Sequence, residues 1–171
     1  MNETIKTMLE RRSIRAYRPD ALPKKLIDEI IKCGLFAATA RGLQPWHLTV
    51  VTNRDLLNRI SNATDPARDI FYGAPCVIIA SYEQENEMFG EIDCANAVEN
   101  MAVAAKSLDL GSCYIACFRR AFLSEAGEAL KEACGIPAGY KPTLCLAVGY
   151  ADGGNPGERA PRREGTVNWV E

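Results

Sequence analysis

The chain has 171 residues, 47% of them hydrophobic and 25% charged, which suits one soluble globular domain with a buried core. Its net charge of −2 creates no overall field that would attract nucleic acid or an acidic membrane, so we expect neither partner. No apolar run has the length of a membrane span, and residues 1–12 do not resemble a signal peptide, which together predict a cytoplasmic protein.

The first half of the chain carries the pattern of three helices and a strand. A helix is predicted over residues 3–12, with Asn2 as its cap, and a second helix begins at Pro23 and ends at Gly42. A β-branched strand follows over residues 47–52 and a short helix over 54–62. We expect an irregular segment over residues 63–73.

The second half alternates strands with helices. A nearly continuous apolar strand is predicted over 75–80, because such a run suits a strand covered on both faces. A long alanine-rich helix follows over 89–110, then a short strand over 114–118, a helix over 122–134 and a strand over 143–150. This order predicts a single α+β domain with a sheet between helical layers.

The seven cysteines predict neither a disulfide framework nor a metal site. Their number is odd and their spacing irregular. Cys113 and Cys117 are four residues apart, but no second Cys/His pair accompanies them, so we expect no bound metal. Reduced thiols in a cytosol are the simplest account of this pattern.

A dense cluster of arginines follows the first helix, in the segment 11–18 (RRSIRAYR). A guanidinium is always charged and offers a planar fork of donors that suits phosphate oxygens, and Ser13 adds a compact donor. The segment is therefore a candidate phosphate site. The alternative is a solvated charged surface, which is what most basic clusters are.

Residues for acid–base or nucleophilic catalysis are scarce. His47 is the single histidine, and no serine or cysteine lies in a nucleophile-elbow context, so we interpret His47 as structural and name no catalytic side chain. The sequence has neither a Walker loop nor the Rossmann glycine fingerprint. A local phosphate site without such machinery is typical of an enzyme whose cofactor carries the chemistry.

Six short motifs, taken in order, resemble the nitroreductase family of flavin-dependent oxidoreductases over nearly the whole chain. They are the RRSIRAY of residues 11–17, the helix of 23–40, the QPWHL of 44–48, the GAP of 73–75 with Val77 and Ile78, the NMAVAAKSLDLGS of 100–112, and the GIP and VGY of 135–137 and 148–150. Each motif is weak alone, but their common order makes the resemblance strong.

The resemblance implies a nitroreductase-like α+β fold with a central, mostly antiparallel sheet flanked by helices. It also implies an intertwined homodimer that binds FMN at the subunit interface. The alanine-rich helix over 89–110 would lie at the dimer core, and the tail over 151–171, with Trp169, would dock on the partner subunit.

The resemblance also implies the residues that bind FMN. Arg11, Arg12, Ser13 and Arg15 would hold the phosphate and the pyrimidine edge of the ring. The loop before Gln44 would lie under the ring of the other subunit, the stretch 115–117 would face its N5 side, and a basic pair in the tail would reach the phosphate. The matching positions in these last three segments are Ala38, Thr39, Ala40, Gly42, Gln44, Ile115, Ala116, Cys117, Arg162 and Arg163.

Two positions depart from the family pattern. Thr39 keeps a hydroxyl where the family has serine, but Gly42 stands where it has asparagine, and Arg41 is unusual there. The segments over 61–73 and 82–90 are short, which implies an open substrate face.

The function implied is FMN-dependent reduction of nitroaromatics, quinones or similar electron-poor acceptors by NAD(P)H, through ping-pong hydride transfer. Two alternatives stay open. Relatives of this fold also carry out reductive dehalogenation, flavin fragmentation or dehydrogenation of heterocycles, and a non-catalytic flavin-binding dimer would share the same motifs.

Overall fold

The computed structural model describes residues 1–153, 156 and 158–171; residues 154, 155 and 157 of the tail lie outside the described residues. A four-stranded sheet is combined with six α-helices. The helices are α1 (Glu3–Glu10), α2 (Lys24–Leu35), α3 (Arg54–Thr64), α4 (Glu87–Ser107), α5 (Arg119–Phe122) and α6 (Gly127–Cys134). The strands are β1 (Trp46–Val51), β2 (Cys76–Glu83), β3 (Gly111–Ile115) and β4 (Tyr140–Gly149).

The sheet has the order β1-β2-β4-β3, and all of its neighbouring strands are antiparallel. Leu48 lies opposite Ala80, and Ile78 lies opposite Leu146. The two central strands, β2 and β4, are buried along most of their length. Their continuous apolar sequences follow from this position, since both faces of each strand are covered.

Helices cover the two faces of the sheet and create two apolar cores. On one face, Ile78 and Leu146 pack with residues of α2 and α4 such as Ile30 and Met101. On the other, Ile79 and neighbouring strand residues pack with side chains of α3, α5 and α6. The predicted α+β arrangement, with a sheet between helical layers, is confirmed.

Small residues let α4 approach its neighbours closely. A Cβ at Gly90 would overlap the ring of Tyr82 on β2, and a Cβ at Gly34 of α2 would come within 2.7 Å of Met101 Cγ. Since the tyrosine ring is rigid and the methionine side chain is flexible, glycine is required more strictly at position 90 than at position 34.

The predicted helix over 122–134 is two helices. α5 ends at Phe122 and α6 begins at Gly127, because the chain turns sharply between them and the Gly127 N–H donates to Ser124 O at 2.9 Å. A Cβ at Gly127 would overlap the carbonyl of Phe122, so the turn requires glycine there.

Other boundaries also differ from the prediction. α1 ends at Glu10, two residues early, and the strand predicted over 114–118 is β3 over 111–115. α2 ends at Leu35 instead of continuing to Gly42, although the alanines that follow favour helix. Tertiary contacts described below hold the segment after α2 in a loop.

The described part of the chain contains no helix that is long and apolar enough to cross a membrane. The end of the tail packs on little of its own chain, since Trp169 is 84% exposed and Val167 and Val170 are also exposed.

Candidate functional site

The arginine-rich segment lies along the outer edge of β3. Ser13 forms an isolated parallel bridge with Ser112, and the Ile14 N–H donates to Ser112 O at 2.9 Å. Gly111 makes this close approach possible, because a Cβ there would lie 3.0 Å from Ile14 Cγ2. Residues 11–15 therefore run beside β3 in the same direction, toward the end of that strand.

Tyr17 fixes the far end of this segment. Its side chain is buried and its hydroxyl donates to Ile14 O at 2.9 Å, while Tyr17 itself bridges Ala151 after β4. Burial raises the pKa of Tyr17 well above its usual value, so the hydroxyl stays protonated and keeps its role as donor. The arginines before it are thus carried on a backbone held at both ends.

Arg11 and Arg12 both have polar partners within the protein. Arg11 Nε lies 3.1 Å from Glu99 Oε1 of α4, and this pair is partly exposed. An Nη atom of Arg12 donates to Pro156 O at 3.2 Å and more distantly to Glu158 O. Both arginines therefore connect their segment to other parts of the chain, and Arg11 keeps its terminal nitrogens for a further acceptor.

Ser13 and Arg15 lie near the thiol of Cys113 on β3. Burial raises the pKa of Cys113, and the positive charge of Arg15 and a hydrogen bond with Ser13 oppose that shift. Arg15 is exposed, and its guanidinium carbon lies 5.9 Å from the centre of the Tyr72 ring. Its donors thus lie at the surface, beside the end of β3.

The stretch predicted to face the flavin lies where β3 ends. Ile115 is buried, and Ala116 and Cys117 are half-buried. The carbonyl of Cys117 accepts from the Arg120 N–H at 3.1 Å as the chain enters α5. This stretch therefore continues directly from the strand beside which residues 11–15 run, although the two segments are a hundred residues apart in sequence.

The loop between α2 and β1 has an unusual backbone. Residues 40–42 form a single 3₁₀ turn, and positive φ angles occur at Arg41 (57°), Gly42 (69°) and Gln44 (51°). The Gln44 N–H donates to Thr39 Oγ1 at 3.3 Å, so the hydroxyl that replaces the family's serine stabilises the loop itself. Glycine at position 42 fits its left-handed conformation.

Two residues of α4 that the sequence analysis did not single out hold this loop. Asp93 is 2% exposed, and its Oδ1 accepts from the Ala40 N–H at 3.0 Å. Asn96, one turn later, donates to Ala38 O at 3.2 Å. The available signal was an aspartate at helical spacing from Ala97 and next to Cys94, on the face that α4 buries, since a buried carboxylate needs a partner.

The second oxygen of Asp93, Oδ2, is buried without a hydrogen-bond partner within the described part of the chain. This side chain thus has spare accepting capacity directly beneath the loop.

The tail contacts the arginine segment through residues that precede the predicted basic pair. Arg159 donates to Arg11 O at 2.8 Å, and the carbonyls of Pro156 and Glu158 accept from Arg12. Arg162 and Arg163, three and four residues after Arg159, are exposed. Their contact with the FMN phosphate stays a prediction.

A cavity of ≈ 300 Å³ opens beside the arginine segment, between α4, β3 and the tail. Its lining carries both charges: Arg11, Arg12 and Lys106 contribute positive groups, and Glu10 and Asp109 negative ones. Because the cavity is not uniformly basic, its charge alone does not define an anion site.

The arginine segment and the loop of residues 38–44 are both attached to α4, through Glu99 and through Asp93 and Asn96 respectively. Among the described residues no hydrogen bond or ion pair joins them directly. One chain therefore presents two separate parts of the predicted FMN site.

The protein belongs to the nitroreductase family. The model of the Nitroreductase family matches residues 8–66 and 61–150, most of the chain. This confirms the family suggested by the six motifs.

Individual relatives also support membership of the nitroreductase family. A protein of Methanothermobacter thermautotrophicus, named as a proposed NADH dehydrogenase/NAD(P)H nitroreductase, is 33% identical over 160 residues, covering 92% of this chain and 80% of the relative. A nitroreductase with bound FMN from Bacteroides fragilis has a TM-score of 0.90 at 30% identity, and one from Desulfitobacterium hafniense 0.91 at 25%; each comparison covers 100% of both chains. The nitroreductase fold is thereby confirmed.

Proposed function

We propose that this protein is an FMN-dependent NAD(P)H oxidoreductase that reduces nitroaromatics, quinones or related electron-poor acceptors. The observation that carries the proposal is the arrangement of residues 11–15 along β3, in a chain similar to nitroreductases with bound FMN. It supports the proposal because the predicted phosphate ligands run beside β3, and the stretch predicted to face the ring lies at the end of that strand.

The donor set fits the cofactor. Arg11 has terminal nitrogens left for a phosphate, Ser13 offers a hydroxyl close to the thiol of Cys113, and Arg15 presents an exposed guanidinium. Charge-assisted donors of this kind bind a phosphate dianion strongly. Ala116 and Cys117 are only half-buried, so part of each residue is accessible to a ligand.

When bound, FMN supplies hydride exchange between NAD(P)H and the acceptor. The protein itself would bind FMN, orient its ring and shield it from solvent. Arg11, Arg12, Ser13 and Arg15 would hold the phosphate and the pyrimidine edge, and backbone groups near Cys117 would donate to the ring without a titrating side chain. No side chain is proposed to donate or accept a proton in the reaction.

A second copy of the chain completes the proposed site. Thr39, Ala40 and Gln44 would lie under the ring held by the partner, because no hydrogen bond or ion pair among the described residues joins the two parts of the site within one chain. The tail end around Trp169, whose side chain is largely exposed, would cover the partner. Sedimentation of the FMN-loaded protein at dimer mass is expected, and a monomer at micromolar concentration would contradict this part.

The first test is titration of the purified protein with FMN, followed by NAD(P)H oxidation with a nitroaromatic acceptor. Ser13→Ala and Arg12→Ala are expected to lose one polar contact each, about 1.5–3 kcal/mol in FMN binding. Arg18→Ala is the matched control, since Arg18 lies over the Tyr150 ring, 4.8 Å from its centre, outside the predicted contacts.

The Arg12 variant also loses its contacts to the tail carbonyls, so Ser13→Ala is the cleaner of the two tests. Unchanged FMN affinity in both variants would show that the phosphate binds elsewhere. A protein that takes up no FMN at all would contradict the proposed function.

A further inference from the structure

Arg41 is the only charged residue between Phe36 and His47, and its side chain is exposed. Within the described residues it has no ion-pair partner. Its contact is with an aromatic ring, since the guanidinium carbon lies 5.8 Å from the centre of the Phe89 ring on α4. The positive charge is therefore left uncompensated in the loop proposed to lie under the flavin.

The backbone at Arg41 is held in place although its conformation is unfavourable for a residue with a side chain. Its φ angle is 57°, in the left-handed region. The preceding N–H, of Ala40, is bound by the buried carboxylate of Asp93, and the loop closes on itself through Thr39 and Gln44. Because these bonds fix the backbone that carries Arg41, less conformational entropy is lost when a ligand binds to its side chain.

The geometry of the side chain leaves its donors available. A guanidinium next to an aromatic ring keeps its N–H groups in its own plane, where they can form a two-pronged contact with a carboxylate. The acidic residues that flank Phe89 already have cations: Glu87 lies 3.5 Å from Lys141 Nζ and Glu91 lies 3.0 Å from Arg119. Neither is therefore left to neutralise Arg41.

We propose that Arg41 binds a carboxylate carried by the electron acceptor, so that the enzyme prefers anionic nitroaromatics or quinones over neutral ones of the same shape. This inference rests on the proposed function, because the loop must lie beside the flavin for Arg41 to meet the acceptor. Arg41 is then a residue that determines specificity, and it takes no part in hydride transfer.

An anionic oxygen group could also come from the phosphate of NADPH, and the experiment separates the two sources. The acceptors are 4-nitrobenzoate and 4-nitrobenzamide, which differ in charge and little in shape. The variants are Arg41→Gln, which removes the charge at similar length, and Arg59→Gln, an exposed position on the remote helix α3. NADH and NADPH are compared as donors for each variant.

We expect kcat/KM for 4-nitrobenzoate to fall about tenfold or more in Arg41→Gln, the size of a lost charge-assisted contact, with 4-nitrobenzamide nearly unchanged. Arg59→Gln should leave both acceptors unchanged. Equal losses for the two acceptors would overturn the inference, and so would a change confined to the preference between NADPH and NADH, because the anion would then belong to the nucleotide.

A binding measurement keeps the inference separate from turnover. Calorimetric titration with benzoate and with benzamide is carried out on the protein as purified, whose flavin content is read from its absorbance. Weaker benzoate binding in Arg41→Gln alone supports the site. Equal benzoate affinity in the variant and the parent overturns the inference about Arg41, with or without bound flavin. Absence of flavin from the purified protein contradicts a different claim, the proposed function.

Discussion

Replacement of Asp93 tests how the loop of residues 38–44 is held. Asp93→Ala removes the acceptor of the Ala40 N–H, a bond of 3.0 Å formed by a side chain that is 2% exposed. Leaving that donor without its partner costs about 1–3 kcal/mol. The unpartnered Oδ2 disappears with the same change, and this offsets part of the loss in global stability.

The larger effect is expected on FMN binding. Without its anchor, the loop is less ordered in the free protein, and fixing one residue's backbone costs roughly 1–2 kcal/mol. We therefore expect FMN affinity to fall about tenfold in Asp93→Ala. Asp93→Asn keeps an oxygen for the Ala40 N–H and should bind FMN within about threefold of the parent.

The assay is fluorescence titration of the apoprotein with FMN, with urea unfolding of each apoprotein as the measure of stability. The reasoning would be refuted if Asp93→Ala bound FMN as tightly as the parent. A loss in Asp93→Asn as large as in Asp93→Ala would also refute it, because the carboxylate charge rather than the hydrogen bond would then be what matters.

Three further predictions concern the fold. Gly90→Ala should lower the free energy of unfolding by about 1–3 kcal/mol, because the added Cβ meets a rigid tyrosine ring. Gly34→Ala should lower it clearly less, because its Cβ meets a flexible methionine. Equal urea midpoints for the two variants would contradict this. Gly135→Ala should lower the free energy of unfolding by about 1 kcal/mol, since Gly135 follows the end of α6 with a φ of 66°. An unchanged thermal unfolding temperature would show that this position tolerates a side chain. Burial raises the pKa of Cys76 from 9.0 to about 12, so the fold holds a neutral thiol that ionises first in the unfolded chain. Stability is then complete below about pH 9 and is lost from there toward pH 12, by about 1.4 kcal/mol at pH 10 for this thiol. Cys76→Ala should reduce the fall in urea midpoint between pH 8 and pH 10, and an identical fall in variant and parent would count against this cause.

Much of the fold was predictable because the sequence patterns are local. The apolar run that became β2 indicated a strand covered on both faces, and β2 lies in the middle of the sheet. The helix predicted to end at residue 134 does end at Cys134, before the left-handed Gly135. The helix predicted over 122–134 was wrong in one respect, since the turn before Gly127 depends on a backbone contact that helical periodicity does not report.

The loop after α2 marks where local patterns stop being sufficient. Alanines at 37, 38 and 40 favour helix, and the prediction extended α2 to Gly42. The structure ends the helix at Leu35, because Asp93 and Asn96 bind the backbone of the following residues. These partners lie more than fifty residues away, and weak propensities yield to such contacts.

The sequence by itself determined the family, the chain order of the strands and helices, and the presence of an arginine segment with the residue types that a phosphate requires. Only the tertiary structure decided which partners those residues have. It paired Arg11 with Glu99, brought the Arg159 side chain to the carbonyl of Arg11, and set a buried Asp93 beneath the loop that carries Arg41. The physical reason is that a charged side chain has the same sequence signature whether it faces water, a carboxylate or a ligand, and only packing distinguishes these surroundings.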